Sequence, residues 1–556
     1  MDVRDRVTSA SARVSEDEAT ALGTGLTLLA AAVAAALVLP LGWLVVDVFD
    51  LGARAVDLTV APTTLQVLVR TLGLVAVVTA SSVVVGVPLA VLTVQAEIPF
   101  RRFWTVVAAL PLAVPSYLGA FAAVSAFGPR GALAEVLSPL VVELPWLAGG
   151  WTVVLDVPIP TVYGFFGTAL VLTLYTYPYV FLTTRASLLS LDASLVEAAR
   201  TLNSGRWDAF RRVTLPQITP GVAAGALLVA LYTLSDFGTP NIMRLEVFTQ
   251  FIYARYNAFM RDYAALLSLQ LFAVTAVILA VESRIGIDET SAYASRGNGG
   301  TISLDLGRWR YPAMLLPAGV GVVAILLPIG IFGMWLLRAG PGYATGSMSF
   351  SWVYGLHSVY VALLAAGGAV LVALPIGLQS AVSGSRLAEI ADRAPYVGYA
   401  APGIVLAIAL VSFSLDVVPG LYKTIPLLVF AYVVRFMPQA IGSIRASRMQ
   451  VDRRLVEAAR TLGRSRLSAF RSVTVPLIVP GIATGAALVF LTTMKELPAT
   501  LILRPLRFDT LVTYIWRVQE AGLYGQAAVP ALVLVVVSGL SMAVILAQEG
   551  GRDADR

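Results

Sequence analysis

Long apolar segments follow one another along this chain, separated by shorter polar segments. A helix that crosses a membrane needs about 20 mostly apolar residues, and twelve segments of this kind can be marked. They are 22–48, 66–94, 103–127, 162–184, 221–243, 263–283, 311–337, 355–383, 394–414, 424–442, 481–502 and 527–547. The pattern predicts an all-α polytopic membrane protein with about 12 transmembrane helices.

Composition supports the membrane assignment. Of the 556 residues, 58% are hydrophobic and 13% charged, whereas a soluble domain has about 25% charged residues. The chain has no cysteine and one histidine, so thiol chemistry and a metal site of several Cys or His ligands are excluded. We expect His357 to be structural.

Basic residues are distributed unevenly among the predicted loops. With the N-terminus placed inside, 26 of the 39 basic residues lie in inner segments and 10 in outer ones. This is the bias that the positive-inside rule describes. The net charge of +6 therefore reflects topology and does not indicate nucleic-acid binding, and both termini are predicted to be cytoplasmic.

The chain contains an internal duplication. Residues 195–221 and 455–481 are identical at 18 of 27 positions, at an offset of 260, and further upstream Pro115 aligns with Pro402 at an offset of 287. The additional residues of the first half fall in the outer loop 128–161. Six spans in each half predict two parallel six-helix repeats. The predicted order is a tail 1–21, a first repeat 22–283 with a cytoplasmic loop 185–220, a linker 284–310, a second repeat 311–547 with a loop 445–480, and a tail 548–556.

The duplicated cytoplasmic loop predicts a helix, a turn and a second helix. Asp192 and Asp452 suit the N-cap position. Gly463 suits the left-handed position after the first helix, and Asn203 is the next-best residue there. Because this loop stays so similar in both halves while the spans differ, we expect each copy to contact the same kind of partner. The alternative is an amphipathic helix on the inner leaflet.

Both copies resemble the EAA loop of the permease subunits of ATP-binding-cassette importers, a bacterial inner-membrane family with the type I permease fold. The second copy keeps the family's Glu-Ala-Ala and following glycine, whereas the first has Asn203 instead of that glycine. The resemblance implies that the loops dock on two ATPase subunits, which hold ATP and Mg. It assigns this coupling role to Glu197, Ala198, Ala199, Arg200, Leu202, Asn203, Glu457, Ala458, Ala459, Arg460, Leu462 and Gly463.

A nucleotide site of the chain's own is not expected. A phosphate-binding loop needs a Gly-Lys pair, and the only lysines, Lys423 and Lys495, do not follow glycine. The sequence therefore predicts a transport subunit and not an enzyme, with no cofactor of its own.

Two segments point to a substrate class. The stretches SDFGT (235–239) and MKELPATLILRPLRFDTL (494–511) resemble those of fused permeases from ferric-iron importers. The resemblance implies an extracytoplasmic, iron-binding protein as a further partner. Related permeases carry thiamine, polyamines, sulfate or phosphonates, and these substrates stay open.

Two acidic residues occupy equivalent positions in the halves: Asp236 aligns with Glu496 at the offset of 260. Ionisable residues at membrane depth are costly and usually face a cavity, so both are candidates for the transport pathway. Arg435, whose repeat partner is Tyr175, could be their counter-ion or could extend to the inner surface. Alternatively, Glu496 neutralises Lys495 and Asp236 caps a broken helix near Pro240.

Two other classes of protein remain compatible with the sequence. An ion-coupled secondary transporter could use Asp236, Glu496 and Glu282, but it leaves the duplicated loop unexplained. A membrane enzyme is the weakest hypothesis, because the sequence shows no catalytic constellation.

Overall fold

The computed structural model describes residues 32–33, 35–36, 38–128, 140–144, 151–155, 162–191, 208, 210–285, 306–338, 348–379 and 395–554. It divides into two compact units. The first unit comprises residues 1–52 and 352–512, and the second comprises residues 53–351 and 513–556.

The second unit is built mainly of long helices. Its α-helices are Arg54–Thr59, Pro62–Val94, Arg101–Ala109, Ser116–Phe127, Phe165–Leu189, Leu215–Ser235, Gly238–Ile242, Phe248–Asn257, Arg261–Ile285, Arg310–Ala313, Leu315–Gly321, Leu327–Arg338 and Tyr524–Ala554. Single turns of 3₁₀-helix lie at Leu110–Ala113 and Gly307–Trp309, and single turns of π-helix lie at Phe210–Thr214 and Val322–Leu326. The core contains Tyr177, whose hydroxyl donates to the carbonyl of Ala108 at 2.7 Å.

The first unit is helical as well. Its helices are 38–51, Val353–Gln379, 395–400, Gly403–Val417, Pro419–Leu421, Ile425–Met449, Arg453–Thr461, Arg466–Ala469, Phe470–Thr474, Val475–Met494 and Pro498–Leu503. The division between the units falls within helix Leu511–Glu520.

The compact units differ from the two repeats along the sequence. Helix 38–51 belongs to the predicted first repeat, yet it packs in the first unit: the Trp43 ring contacts the Phe413 ring at 5.6 Å, and its indole N–H donates to Asp416 at 3.0 Å. Helices Leu327–Arg338 and Tyr524–Ala554, from the predicted second repeat, belong to the second unit. The chain therefore exchanges helices between its halves.

The predicted helical membrane class is confirmed. Among the described residues, eight helices are long and apolar enough to cross a membrane, and a bent pair of helices could be a ninth span. Gly403–Val417 and Tyr524–Leu540 are shorter apolar helices. Each of the twelve predicted spans coincides with one of these elements or, for 22–48, with helix 38–51.

The third span is not the straight helix that the apolar run 103–127 predicts. Arg101–Ala113 and Ser116–Phe127 meet at 90°. Val114 is extended (φ −80°, ψ 129°), the conformation favoured before proline, and Pro115 follows it. Pro402, aligned with Pro115, likewise precedes a new helix at Gly403.

The fifth and eleventh spans are also interrupted, contrary to the continuous runs 221–243 and 481–502. The helices end at Ser235 and Met494, and short helices begin at Gly238 and Pro498. A proline cannot donate a hydrogen bond to the carbonyl four residues earlier, and Pro240 and Pro498 stand four residues after Asp236 and Met494. We call residues 236–237 the first break and residues 495–497 the second break.

A short antiparallel pair of strands lies in the outer loop 128–161. Strand Leu140–Leu144 pairs with Trp151–Leu155, with Leu140 opposite Leu155. The hairpin is part of the insertion that distinguishes the first half from the second.

The duplication is visible in hydrogen bonds as well as in sequence. The N–H of Phe248 donates to the hydroxyl of Thr71 at 3.0 Å in the second unit. In the first unit, the N–H of Leu511 donates to the hydroxyl of Ser358 at 2.8 Å. Thr71 and Ser358 are related by the offset of 287, so both halves hold their outer helices in the same way.

Candidate functional site

The two EAA loops differ in how much of each the structure describes. Glu197, Ala198, Ala199, Arg200, Leu202 and Asn203 lie outside the described residues. The backbone of the second loop, 445–480, is described from end to end, so the geometry of the candidate docking site comes from this copy.

The second EAA helix, Arg453–Thr461, is capped at both ends. The carboxylate of Asp452 accepts a hydrogen bond from the N–H of Arg454 at 2.9 Å, which confirms the predicted N-cap. Gly463 has a φ of +83°, which confirms the predicted left-handed position. The N–H of Gly463 donates to the carbonyl of Arg460 at 3.0 Å, and the N–H of Arg464 donates to the carbonyl of Ala459 at 3.2 Å. These are the two hydrogen bonds of a Schellman motif.

This helix presents an exposed face of mixed character. Glu457, Ala458 and Arg460 are exposed and Ala459 is partly exposed. Leu462 is 85% exposed and Leu455 is 51% exposed. Large apolar side chains clustered on a surface beside charged ones are typical of a protein contact site, so this face is suited to a partner.

At the first break, Asp236 caps the short helix that follows it. One carboxylate oxygen accepts from the N–H of Thr239 at 2.9 Å, and the other accepts from the Thr239 hydroxyl at 3.2 Å. The hydroxyl of Ser116 donates to the same carboxylate. These donors are all neutral, and the capping alternative raised from the sequence is confirmed for this residue.

At the second break, Glu496 has the same capping position and a different partner. Its Oε1 accepts from the N–H of Ala499 at 3.3 Å. Its Oε2 lies 3.6 Å from Nε of Arg435, with 8% of the Glu496 side chain and 14% of the Arg435 side chain exposed. Arg435 is therefore the counter-ion of Glu496, and the alternative in which it extends to the inner surface is wrong.

The two acids have different partners because the residues beside them differ between the two halves. Ser116 aligns with Gly403, and Tyr175 aligns with Arg435. In the second unit, the Tyr175 ring occupies the space where a Cβ on Gly119 would lie, and its hydroxyl donates to the carbonyl of Ala324 at 3.0 Å. In the first unit, the Arg435 guanidinium occupies the space beside Gly403. Aligning Pro115 with Pro402 would have revealed the Ser116–Gly403 pair in the sequence.

His357 is held in a structural role, as expected. Its ring stacks on Phe508 with the centroids 4.2 Å apart, and its Nδ1 lies 2.9 Å from the carbonyl oxygen of Asp509. Within the described part of the chain, no group of three or more His, Asp or Glu residues is placed to hold a metal ion.

A polar cavity of about 530 Å³ lies in the second unit on the predicted outer side. Its walls include Asn241 and Ile242 of the short helix after the first break, together with Arg244, Glu520 and Tyr163. The Arg244 guanidinium lies 4.6 Å from the centre of the Tyr163 ring. Burial raises the pKa of Glu520, against the opposing effect of a hydrogen bond with Trp516.

Comparison with known proteins gives a consistent result. Residues 82–285 and 373–549 each match the model of a family described as binding-protein-dependent transport system inner membrane component. The chain is 29% identical over 521 residues to the Fe(3+)-transport system permease protein FbpB 2 of Haemophilus influenzae, covering 93% of this chain and 96% of the relative.

Two further relatives have related descriptions. The chain is 25% identical to the probable ABC transporter permease protein y4fN of Sinorhizobium fredii, covering 82% of both chains. It is also 25% identical to the ferric transport system permease protein FbpB of Actinobacillus pleuropneumoniae, covering 69% of this chain and 58% of the relative. The two matched segments correspond to the two halves found from the internal repeat.

Proposed function

Since this chain belongs to the family of binding-protein-dependent transport system inner membrane components, we propose that it carries ferric iron across the bacterial inner membrane. It is a multi-pass permease with two family domains in one polypeptide. In this role it binds and moves its cargo without chemical change to it.

The driving force comes from two separate ATPase subunits, which bind ATP and Mg. Each docks on one EAA loop, at Glu197–Leu202 in the first half and Glu457–Leu462 in the second. The exposed face around Glu457 and Leu462 supports this docking site. ATP closes the ATPases, draws the two loops together and opens the pathway outward, and hydrolysis returns it to the inward-open form.

The cargo is delivered by an extracytoplasmic iron-binding protein. It docks on the outer side, where the loop 128–161 with its hairpin is the largest insertion in the first half. Both termini of the permease are then cytoplasmic, in agreement with the distribution of basic residues.

The observation that carries the assignment of iron is the similarity to the Fe(3+) permease of Haemophilus influenzae over 93% of this chain. Thiamine and polyamines are the alternative cargoes.

The test is ATP hydrolysis by the permease reconstituted in lipid with its two ATPases. Iron-loaded binding protein is expected to stimulate hydrolysis above the iron-free form. Equal stimulation by both forms would overturn the assignment of iron, and parallel assays with thiamine or a polyamine would then identify the cargo.

A further inference from the structure

Two arginines of the second unit meet at the predicted inner ends of the second and fourth spans. Arg101 follows the second span, and its Nε and Nη2 donate to the carbonyls of Thr93 and Val94 at the end of that helix. Arg185 lies near the end of the helix of the fourth span. The ends of these two helices pack together, since Val94 and Leu188 belong to one buried cluster. The two guanidinium groups are therefore neighbours, and their positive charges repel each other.

Arg185 has hydrogen-bonding capacity that the described part of the chain does not use. Its Nε is buried and makes no hydrogen bond there. A buried donor without a partner is costly, and so is the approach of two like charges. An arginine kept only to fasten two helices would not be expected to carry both costs. An anion bound by the two guanidinium groups would accept hydrogen bonds from Arg185 and offset the repulsion.

The surroundings of this pair also favour an anion. Charged side chains are described in the inner segments 95–102, 208–214 and 306–313 of the same unit. Together with the pair, the positive groups are Arg101, Arg102, Arg185, Arg211, Arg212, Arg308 and Arg310, and the negative groups are Glu97 and Asp208. Positive charges outnumber negative ones even when every acid is counted, so the field on this inner side attracts an anion and repels a cation.

Exposed aromatic side chains adjoin Arg101 along the chain. Phe100 is 80% exposed and Phe103 is 58% exposed. Phe100 also has a φ of +55°, a region that bulky residues rarely occupy. Aromatic rings are enriched at the level where a membrane meets water. Rings and guanidinium groups together at the inner end of a span are therefore suited to a lipid headgroup.

We propose that Arg101 and Arg185 bind the phosphate of an anionic phospholipid of the inner leaflet. Basic sites between spanning helices on the cytoplasmic side suit such headgroups, and guanidinium groups form strong, charge-assisted hydrogen bonds to phosphate oxygens. The acyl chains then lie along the apolar surface of the spans. Because Arg185 is the first residue of the predicted loop 185–220, the lipid lies where the first coupling loop begins. The site does not depend on which cargo is carried.

The principal test measures the thermal unfolding midpoint of Arg185→Gln in a neutral detergent, with and without phosphatidylglycerol. Without lipid, the variant is expected to unfold at the temperature of the unaltered protein or above it, because the change relieves repulsion and the buried Nε makes no hydrogen bond. A lower midpoint would mark Arg185 as a structural contact and contradict the proposal. Phosphatidylglycerol should stabilise the unaltered protein, and Arg185→Gln should need an about tenfold higher lipid concentration for the same shift.

Arg102→Gln is the matched control, because it removes an exposed positive charge from the helix that begins at Arg101. It should respond to nearly the same lipid concentration as the unaltered protein. An equal response of Arg102→Gln and Arg185→Gln would overturn the site, since only the general positive charge of the surface would then attract the lipid. Inorganic phosphate is the second probe, and stabilisation by it as strong as that by phosphatidylglycerol would overturn the assignment of a lipid.

Native mass spectrometry keeps the test decisive if Arg185→Gln fails to assemble. The unaltered permease is purified in detergent with equal amounts of phosphatidylglycerol and phosphatidylcholine, whose headgroup has no net charge. We expect the protein to retain phosphatidylglycerol in preference to phosphatidylcholine. Equal retention of the two lipids would contradict a site built for an anionic headgroup.

Discussion

At the residue scale, the equivalent acids of the two breaks, Asp236 and Glu496, have different electrostatic partners. Asp236 and Glu496 cap the next helix in the same way, through a backbone N–H three residues later. Their other partners are a serine hydroxyl in one half and a guanidinium in the other. The two acids should therefore respond differently to neutralisation.

Glu496→Gln is expected to lower the stability of the protein more than Asp236→Asn. The first change leaves Arg435 buried without its counter-ion, which costs about 3 kcal/mol. The second weakens hydrogen bonds to neutral donors and costs about 1 kcal/mol. Thermal unfolding midpoints of the purified variants in detergent measure the difference, and a larger loss for Asp236→Asn would contradict this account.

The residue after the second EAA helix allows a test of backbone conformation. Gly463 has a φ of +83°, and asparagine tolerates this region whereas a β-branched residue does not. Gly463→Asn, which copies Asn203 of the first loop, is expected to retain uptake near that of the unaltered protein. Gly463→Val should destabilise the end of the helix by roughly 1–2 kcal/mol.

Uptake and the amount of ATPase that copurifies with each Gly463 variant measure these effects. Loss of ATPase is expected for valine alone. The same loss with asparagine would show that the loop requires glycine itself and not only the left-handed conformation.

At the scale of elements, the EAA helix is short, exposed and capped by its own side chains and turn. So short a helix is marginal in isolation, and Arg453–Thr461 is stabilised by Asp452 at one end and by the Schellman motif at the other. Because its outer face is exposed, substitutions there should affect docking and not the fold.

The double variant Glu197→Gln and Glu457→Gln is expected to lose most iron uptake while the chain still assembles in the membrane. The reason is that both docking helices lose the acid that we assign to contact with the ATPases. Uptake and ATP hydrolysis are measured together in reconstituted vesicles. Glu246→Gln, which neutralises one exposed acid paired with Arg70, is the control and should have little effect.

At the scale of the whole molecule, the chain combines two repeats in one polypeptide and exchanges helices between them. Each compact unit contains residues from both predicted repeats. Neither half of the sequence therefore corresponds to a complete compact unit, and we expect the halves to fold poorly when they are expressed separately.

The presence of two EAA loops predicts the composition of the complex. One permease chain of 58.8 kDa is expected to bind two ATPase subunits, because each loop provides one docking site. Native mass spectrometry of the complex purified in detergent measures this ratio. A complex with two permease chains and two ATPases would contradict the assignment of one docking site to each loop.

Local sequence determined much of this protein. The apolar runs located the membrane helices because span length and hydropathy are properties of consecutive residues. The repeat located the EAA loops, and the preferences of Asp452 and Gly463 for helix ends predicted both caps, since capping depends on residues adjacent in the chain.

Tertiary structure alone decided how distant segments meet. The exchange of helices between the units could not be predicted from the sequence. Hydropathy also gave no sign of the 90° bend at Pro115 or of the helix ends at Ser235 and Met494, because it is the same for a straight or an interrupted apolar run; only the prolines at 115, 240 and 498 mark these places in the sequence. The choice of Arg435 as the partner of Glu496 depended on the absence of a side chain at Gly403. That space is created by packing between helices far apart in sequence. The sequence alone therefore could not decide whether Arg435 pairs with an acid or extends to the inner surface.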